Sequence, residues 1–194
     1  MTSSLLVRLT LRDEEAWQRV VRLLYPLVRS WCVRTGLTAD DAADVTQEVF
    51  RTLAGNIQRF ERDNGKNSFR GWLWGITQNH LRNYQRGQRG AAIGIGGTDA
   101  LRRIEVLEQP EAKSEDGRAD ERVLLLRRAV EILRADIEER TWTAFWRAVV
   151  EGHSPADIGA DLGMTANAVY LIKARLLRRL RDEFGELIEM KGKS

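Results

Sequence analysis

The segment SPADIGADLGMTANAVYLIKARLLRRLRDEF, Ser154 to Phe184, constrains the fold most, because it writes out two helices and the turn between them. Ser154 is a good N-cap, Pro155 stands at a first-turn position where its missing N–H costs nothing, and Asp157 suits the positive end of a helix. Ile158 and Leu162 give this short helix an inward face, and Ala160 is the small residue expected to let a second helix cross closely. Gly163 can end the helix by entering the left-handed region without steric penalty. Thr165 then caps a longer helix whose apolar stripe is Val169, Ile172, Leu176 and Leu180, spaced by threes and fours. Its other face carries Lys173, Arg175, Arg178, Arg179 and Arg181. This is the pattern of a helix-turn-helix, whose second helix can enter a DNA major groove; the plainer alternative is a helical hairpin with a solvated basic face.

Charge is distributed more unevenly than the net value of +3 conveys. Residues 173–181 hold five cations and no anion, whereas residues 40–50 hold Asp40, Asp41, Asp44 and Glu48 and no cation. One basic helix and one acidic helix point to two kinds of partner, one of them a polyanion. The 194 residues suffice for one good core or two small ones. Cys32 is the only cysteine, which excludes an intrachain disulfide and the usual cysteine-rich metal site. Beside Trp31 and Val33 it reads as a small buried hydrophobe. There is no apolar run of about 18 residues and no leader pattern, so the expectation is a soluble cytoplasmic protein without a membrane span.

Helical periodicity dominates the rest of the chain, and the expected class is all-α, with small helical domains at 1–87 and 119–194 joined by a linker at 88–118. Asp13 can cap a first helix with Trp17, Val20, Val21, Leu24 and Leu27 on its apolar face, which Pro26 is expected to kink or divide. After Gly36, a second helix starts near Thr38 or Ala39 and turns Ala42, Val45, Val49, Phe50 and Leu53 to one side. Ser68 can cap a third, running to about Tyr84. Glycines at 87, 90, 94, 96 and 97 mark the linker, which contains a short apolar patch from Leu101 to Leu107. The second domain begins near Asp120, with stripes at Val123, Leu126, Val130, Leu133 and Ile137 and then at Trp142, Phe145, Trp146 and Val149.

A second segment bears on function. FRGWLWGITQNHLRNYQRGQR, Phe69 to Arg89, interleaves Phe69, Trp72, Trp74 and Tyr84 with Arg70, Arg82, Arg86 and Arg89. Aromatic rings stack on unpaired bases while arginines hold phosphates, so this composition suits single-stranded nucleic acid; the plainer reading is a tryptophan core under a polar surface. His80 has no second histidine near it in sequence, which argues against a histidine metal pair, and no metal is expected. No glycine-rich phosphate loop or catalytic constellation can be assembled, so no cofactor and no enzymatic activity are expected.

Together these segments resemble the bacterial RNA polymerase sigma factors of the sigma-70 family, in the small extracytoplasmic-function (ECF) class. DAADVTQEVFRTL, Asp41 to Leu53, is similar to the region 2 motif with which that family binds core RNA polymerase. SFRGWLWGITQNHLRNYQR, Ser68 to Arg86, is similar to the part that helps open the promoter and reads its −10 element, and residues 154–181 to the region 4 helix-turn-helix that reads the −35 element. The resemblance implies a transcription initiation factor whose partners are core polymerase, promoter DNA and an anti-sigma factor. It assigns Asp41, Asp44, Gln47, Glu48 and Phe50 to polymerase binding. It assigns Trp72, Asn79, Arg82, Asn83 and Arg86 to the −10 strand. Thr165, Asn167, Tyr170, Lys173, Arg175, Arg178 and Arg179 fall to the −35 duplex. Asn83, where the family usually has an acidic residue, and the Asn167–Ala168 pair depart from its pattern. The competing readings are a helix-turn-helix repressor, which would not need the aromatic segment, and a polymerase-binding adaptor, which would not need the basic helix.

Overall fold

The computed structural model describes residues 4–60, 69–88 and 115–188, and every regular element among them is helical. Eight α-helices occur there: α1 (Leu5–Thr10), α2 (Glu14–Arg34), α3 (Ala39–Asn56), α4 (Phe69–Gln88), α5 (Glu115–Arg134), α6 (Glu139–Val149), α7 (Pro155–Leu162) and α8 (Ala166–Ile188), with a 3-10 turn at Ile57–Arg59. Their starts follow the capping residues. Asp13 accepts the Ala16 N–H at 3.1 Å and Thr38 the Asp41 N–H at 3.2 Å, each satisfying a donor that the first turn leaves open. Gly36, at φ 89°, lets the chain reverse between α2 and α3.

Pro26 neither divides nor ends α2, which runs unbroken from Glu14 to Arg34. The backbone bond that proline removes is outweighed by burial on both sides of it, since Leu23, Leu24, Leu27 and Val28 are all inaccessible to solvent. Helix α1 has no counterpart in the sequence reading; six residues are too few to show a period. Its Leu5, Leu6 and Leu9 nevertheless enter the core, with Ser4 capping the helix.

Helices α2, α3 and α4 form a bundle around Leu24, Val28, Val49, Leu53, Leu73 and Ile76. Helix α5 and the last turns of α8 pack on that same core: Leu125, Ala129, Ile132, Leu133, Phe184, Leu187 and Ile188 are continuous with it. In α5 the buried apolar positions are therefore 125, 129, 132 and 133, and the expected stripe is displaced, leaving Val123 and Leu126 exposed. Leucines occupy 124, 125 and 126 in succession, so apolar spacing alone did not fix which face turns inward. In α6, Trp142 and Phe145 are buried against Leu176 of α8, while Trp146 and Val149, also expected in the stripe, lie exposed at its edge. Ala144, Ile158 and Val169 join α6, α7 and α8 in a small separate cluster. Most of the 88–118 segment, including the Leu101–Leu107 patch, lies outside the described residues; α5 begins within it, at Glu115.

Candidate nucleic-acid and protein interfaces

Helix α3 sorts its residues by turn angle. At about 100° per residue, Asp41, Asp44, Gln47 and Glu48 share one side of the helix, opposite Ala42, Val45, Val49 and Leu53, which are buried. Asp44, Gln47 and Glu48 are exposed and Asp41 is half-buried. The Thr38 hydroxyl, 2.6 Å from Asp41 Oδ2, holds the Asp41 carboxyl below the usual carboxylate range, with Tyr84 of α4 also donating to it. Glu48 pairs with Arg51 one turn on. Phe50 does not belong to this surface. Only 6% exposed, it stacks on Tyr25 at 6.2 Å and meets Trp17 edge-on, so it fixes α3 to α2.

Helix α4 makes the adjoining face. Trp72, Asn79, Arg82, Asn83 and Arg86 fall within an arc of about 100°; Arg82, Asn83 and Arg86 are exposed, and Asn79 and Trp72 half-buried. The other aromatics of the segment are structural. Phe69 is buried, Trp74 meets Trp31 edge-on at 5.0 Å, and Trp72 itself lies 5.1 Å from Phe60 and 5.9 Å from Phe69. Trp72 therefore caps a ring cluster with part of its surface open. His80 faces α3, where Nε2 is 2.8 Å from the Thr52 hydroxyl; burial lowers its pKa, opposed by the nearby Glu48 charge.

The α7–α8 pair has the expected punctuation. The Ser154 hydroxyl accepts the Asp157 N–H at 3.1 Å, Pro155 opens α7, Gly163 is left-handed at φ 62° and ψ 44°, and Thr165 caps α8 by accepting the Ala168 N–H at 3.1 Å. The close crossing, however, is made by Gly159 and not Ala160, which is exposed. A Cβ on Gly159 would lie 2.6 Å from the Met164 carbonyl oxygen. Arg140 of α6, which the sequence did not single out, donates to the carbonyls of Leu162 and Gly163 at 2.9 and 2.6 Å and so satisfies the end of α7.

On α8, Asn167, Tyr170, Arg175 and Arg178 lie on one exposed side together with Leu171; Tyr170 is 59% and Leu171 63% exposed. Lys173 is half-buried on the flank. Arg179 is turned away to the other flank, where it pairs with Asp136, in the turn after α5, and, at 3.4 Å, with Glu183. Two carboxylates already neutralise it, so it holds the helices together and does not extend the open basic face. Among the described residues no cluster of histidine, cysteine, aspartate and glutamate is arranged to hold a metal, and no helix is long and apolar enough to cross a membrane.

Residues 20–90 match the Sigma-70 region 2 family. This part of the chain is similar to sigma-70 region 2. It contains both the acidic side of α3 and the polar side of α4. The ECF RNA polymerase sigma factors SigD of Mycobacterium tuberculosis (strain ATCC 25618 / H37Rv) and Mycobacterium bovis (strain ATCC BAA-935 / AF2122/97) are each 29% identical to the chain over 184 residues, covering 88% of this chain and 78% of the relative. The protein is thus related to ECF sigma factors at moderate identity. Sigma factors are non-catalytic transcription factors, so these similarities give no support to an enzymatic activity.

Proposed function

We propose that the protein is an ECF-type sigma factor that binds core RNA polymerase and directs it to promoters carrying −10 and −35 elements. The observation that carries this reading is the placement, within one region 2 bundle, of an exposed acidic side on α3 beside an exposed Asn/Arg side on α4. Asp44, Gln47 and Glu48, with Asp41 at their edge, meet the polymerase. Phe50 contributes by holding α3 in place. Asn79, Arg82, Asn83 and Arg86 meet the opened −10 strand, where guanidinium groups hold phosphates and the carboxamides reach base edges; the half-open ring of Trp72 offers a stacking surface.

In the same reading, α5–α8 serve as the region 4 unit. Thr165 and Asn167 lie at the amino end of α8, where backbone N–H groups face a phosphate, and Tyr170, Arg175 and Arg178 follow along the major groove with Lys173 at the flank. Arg179 is left out of that set. An anti-sigma factor is a further expected partner, with the acidic side of α3 as one surface for it to cover. The test is reconstitution with core polymerase: the parent chain co-elutes and supports promoter-dependent transcript formation, whereas a folded Asp44→Ala/Gln47→Ala variant loses both. Failure of the parent to join core polymerase, or a double variant that competes equally well, overturns the reading.

A further inference from the structure

Helix α4 meets α3 through two polar side chains one turn apart. His80 Nε2 stands 2.8 Å from the Thr52 hydroxyl, and the Tyr84 hydroxyl donates to the Asp41 carboxylate. Asp41 is itself fixed. It lies three residues past the Thr38 cap, whose hydroxyl accepts the Asp41 N–H at 3.2 Å and lies 2.6 Å from Asp41 Oδ2. A carboxylate in the first turn also suits the positive end of a helix.

Tyr84 is the last described residue of α4 that turns inward. It is half-buried, with its ring packed on the core, whereas Gln85, Arg86 and Gly87 after it are exposed. The final turn of a helix has carbonyls without intrahelical partners and frays unless side chains hold it. Tyr84 therefore decides how firmly α4 presents Asn83 and Arg86, the polar residues to either side of it.

We propose that Tyr84 and Asp41 are positioning residues for the opened −10 strand: their hydroxyl–carboxylate bond holds the last turn of α4 so that Asn83 and Arg86 keep a fixed place and direction. The ring alone cannot do this, because apolar contact has no direction and lets a side chain slide, whereas a hydrogen bond to a charged acceptor selects one geometry. A turn ordered before the strand arrives also spares the cost of ordering it on binding. The DNA part rests on the sigma-factor reading above, and it gives Asp41 a duty separate from the polymerase contact made by Asp44, Gln47 and Glu48.

The experiment uses the chain reconstituted with core polymerase, and promoter DNA that the parent holoenzyme selects from a random pool, with its −10 segment left unpaired. Tyr84→Phe keeps the ring and removes only the hydroxyl. It should bind core polymerase within about twofold of the parent and the unpaired segment about fivefold less tightly, as for one lost hydrogen bond at a half-exposed site. Misplacing Arg86 should also lower the salt slope by about 0.7, the value for one phosphate on a single strand. In an Arg86→Ala background Tyr84→Phe should add less than about twofold, since most of its effect passes through Arg86. In the free Tyr84→Phe chain, amide exchange at residues 84–87 should be about fivefold faster than in the parent. Should Tyr84→Phe lose helical circular dichroism, Asp41→Asn keeps the shape and removes the acceptor's charge, and should show the same changes on a smaller scale.

Unchanged strand affinity in the folded variants, or a full effect of Tyr84→Phe without Arg86, overturns the proposal. An equal loss of core binding assigns the bond to docking and overturns it too. A parent chain that joins no core polymerase overturns the sigma-factor reading instead, while amide exchange still decides whether the bond fixes the end of α4.

Discussion

Gly159→Ala tests the geometry of the α7–α8 pair. The added Cβ would lie 2.6 Å from the Met164 carbonyl oxygen, 3.3 Å from Ala166 N and 3.4 Å from Thr165 C. A relaxed carbon–oxygen contact is about 3.3–3.6 Å, so roughly 0.7–1 Å must be recovered. The obstacle is backbone of the turn itself, which cannot swing aside as a long side chain would. Overpacking of this kind costs about 1–3 kcal/mol, and the rigid obstacle argues for the upper half of that range. Replacing glycine by alanine inside a helix returns about 0.5–1 kcal/mol. The net expectation is a loss of about 1–2 kcal/mol, or a fall in melting temperature of about 2–8 °C for a chain of this size.

Thermal and urea unfolding followed by circular dichroism at 222 nm would measure it. Ala160→Gln serves as the control, since Ala160 is exposed and its replacement should change stability by less than about 0.5 kcal/mol. Duplex promoter binding should weaken in Gly159→Ala as α8 tilts away from α7, even below the melting transition. A Gly159→Ala protein as stable as its parent would refute the close crossing. An Ala160→Gln protein that is the less stable of the two would restore the crossing first read from the sequence.

Phe50→Ala should cost about 3–5 kcal/mol in urea unfolding, because it empties a buried site against Trp17 and Tyr25; a stable variant with impaired polymerase binding would return Phe50 to the docking surface. Arg178→Ala should weaken binding across many duplex sequences and reduce the salt slope by about 0.9 per lost phosphate contact. Arg179→Ala should instead lower stability, because it leaves Asp136 and Glu183 short of a cation; equal effects of the two on duplex binding would contradict the assignment. Burial depresses the His80 pKa in the folded state, so its contribution is complete above the unfolded value of about 6.5 and is lost as pH falls through the lower folded value. Urea midpoints measured from about pH 8 to pH 5 should therefore decline more steeply in the parent than in His80→Gln, and identical slopes would show that His80 titrates as it does in the unfolded chain.

The parts of this molecule that were legible in advance are those encoded by local punctuation. Asp13, Thr38, Ser154, Gly163 and Thr165 each act within a turn of their own position, so sequence alone located the starts of α2, α3, α7 and α8 and the end of α7. The polar sides of α3 and α4 followed from period, since a helix long enough to repeat its pattern reveals which residues share a face. Phe50 was misplaced because it borders the acidic run in sequence while lying on the far side of the helix from Asp41. Ala160 was preferred over its neighbour for a related reason. Both residues are small, and only the position of the Met164 carbonyl tells which one the turn crosses.

What sequence could not supply is the meaning of a charge. Glu121 and Glu183 look like any solvated acid on an amphipathic helix, and Arg179 is one of five cations in nine residues. Their roles depend on partners that stand far away in the chain: Trp31 and Arg34 for Glu121, Arg19 for Glu183, and Asp136 for Arg179. The division that matters for function therefore runs through the basic helix itself. Its first turns, with Tyr170, Arg175 and Arg178 open to solvent, are free to meet another molecule, and its last turns, from Arg179 onward, are committed to the core through Glu183, Phe184 and Leu187. A single rigid helix thus joins the exposed basic surface to the buried contact with α2.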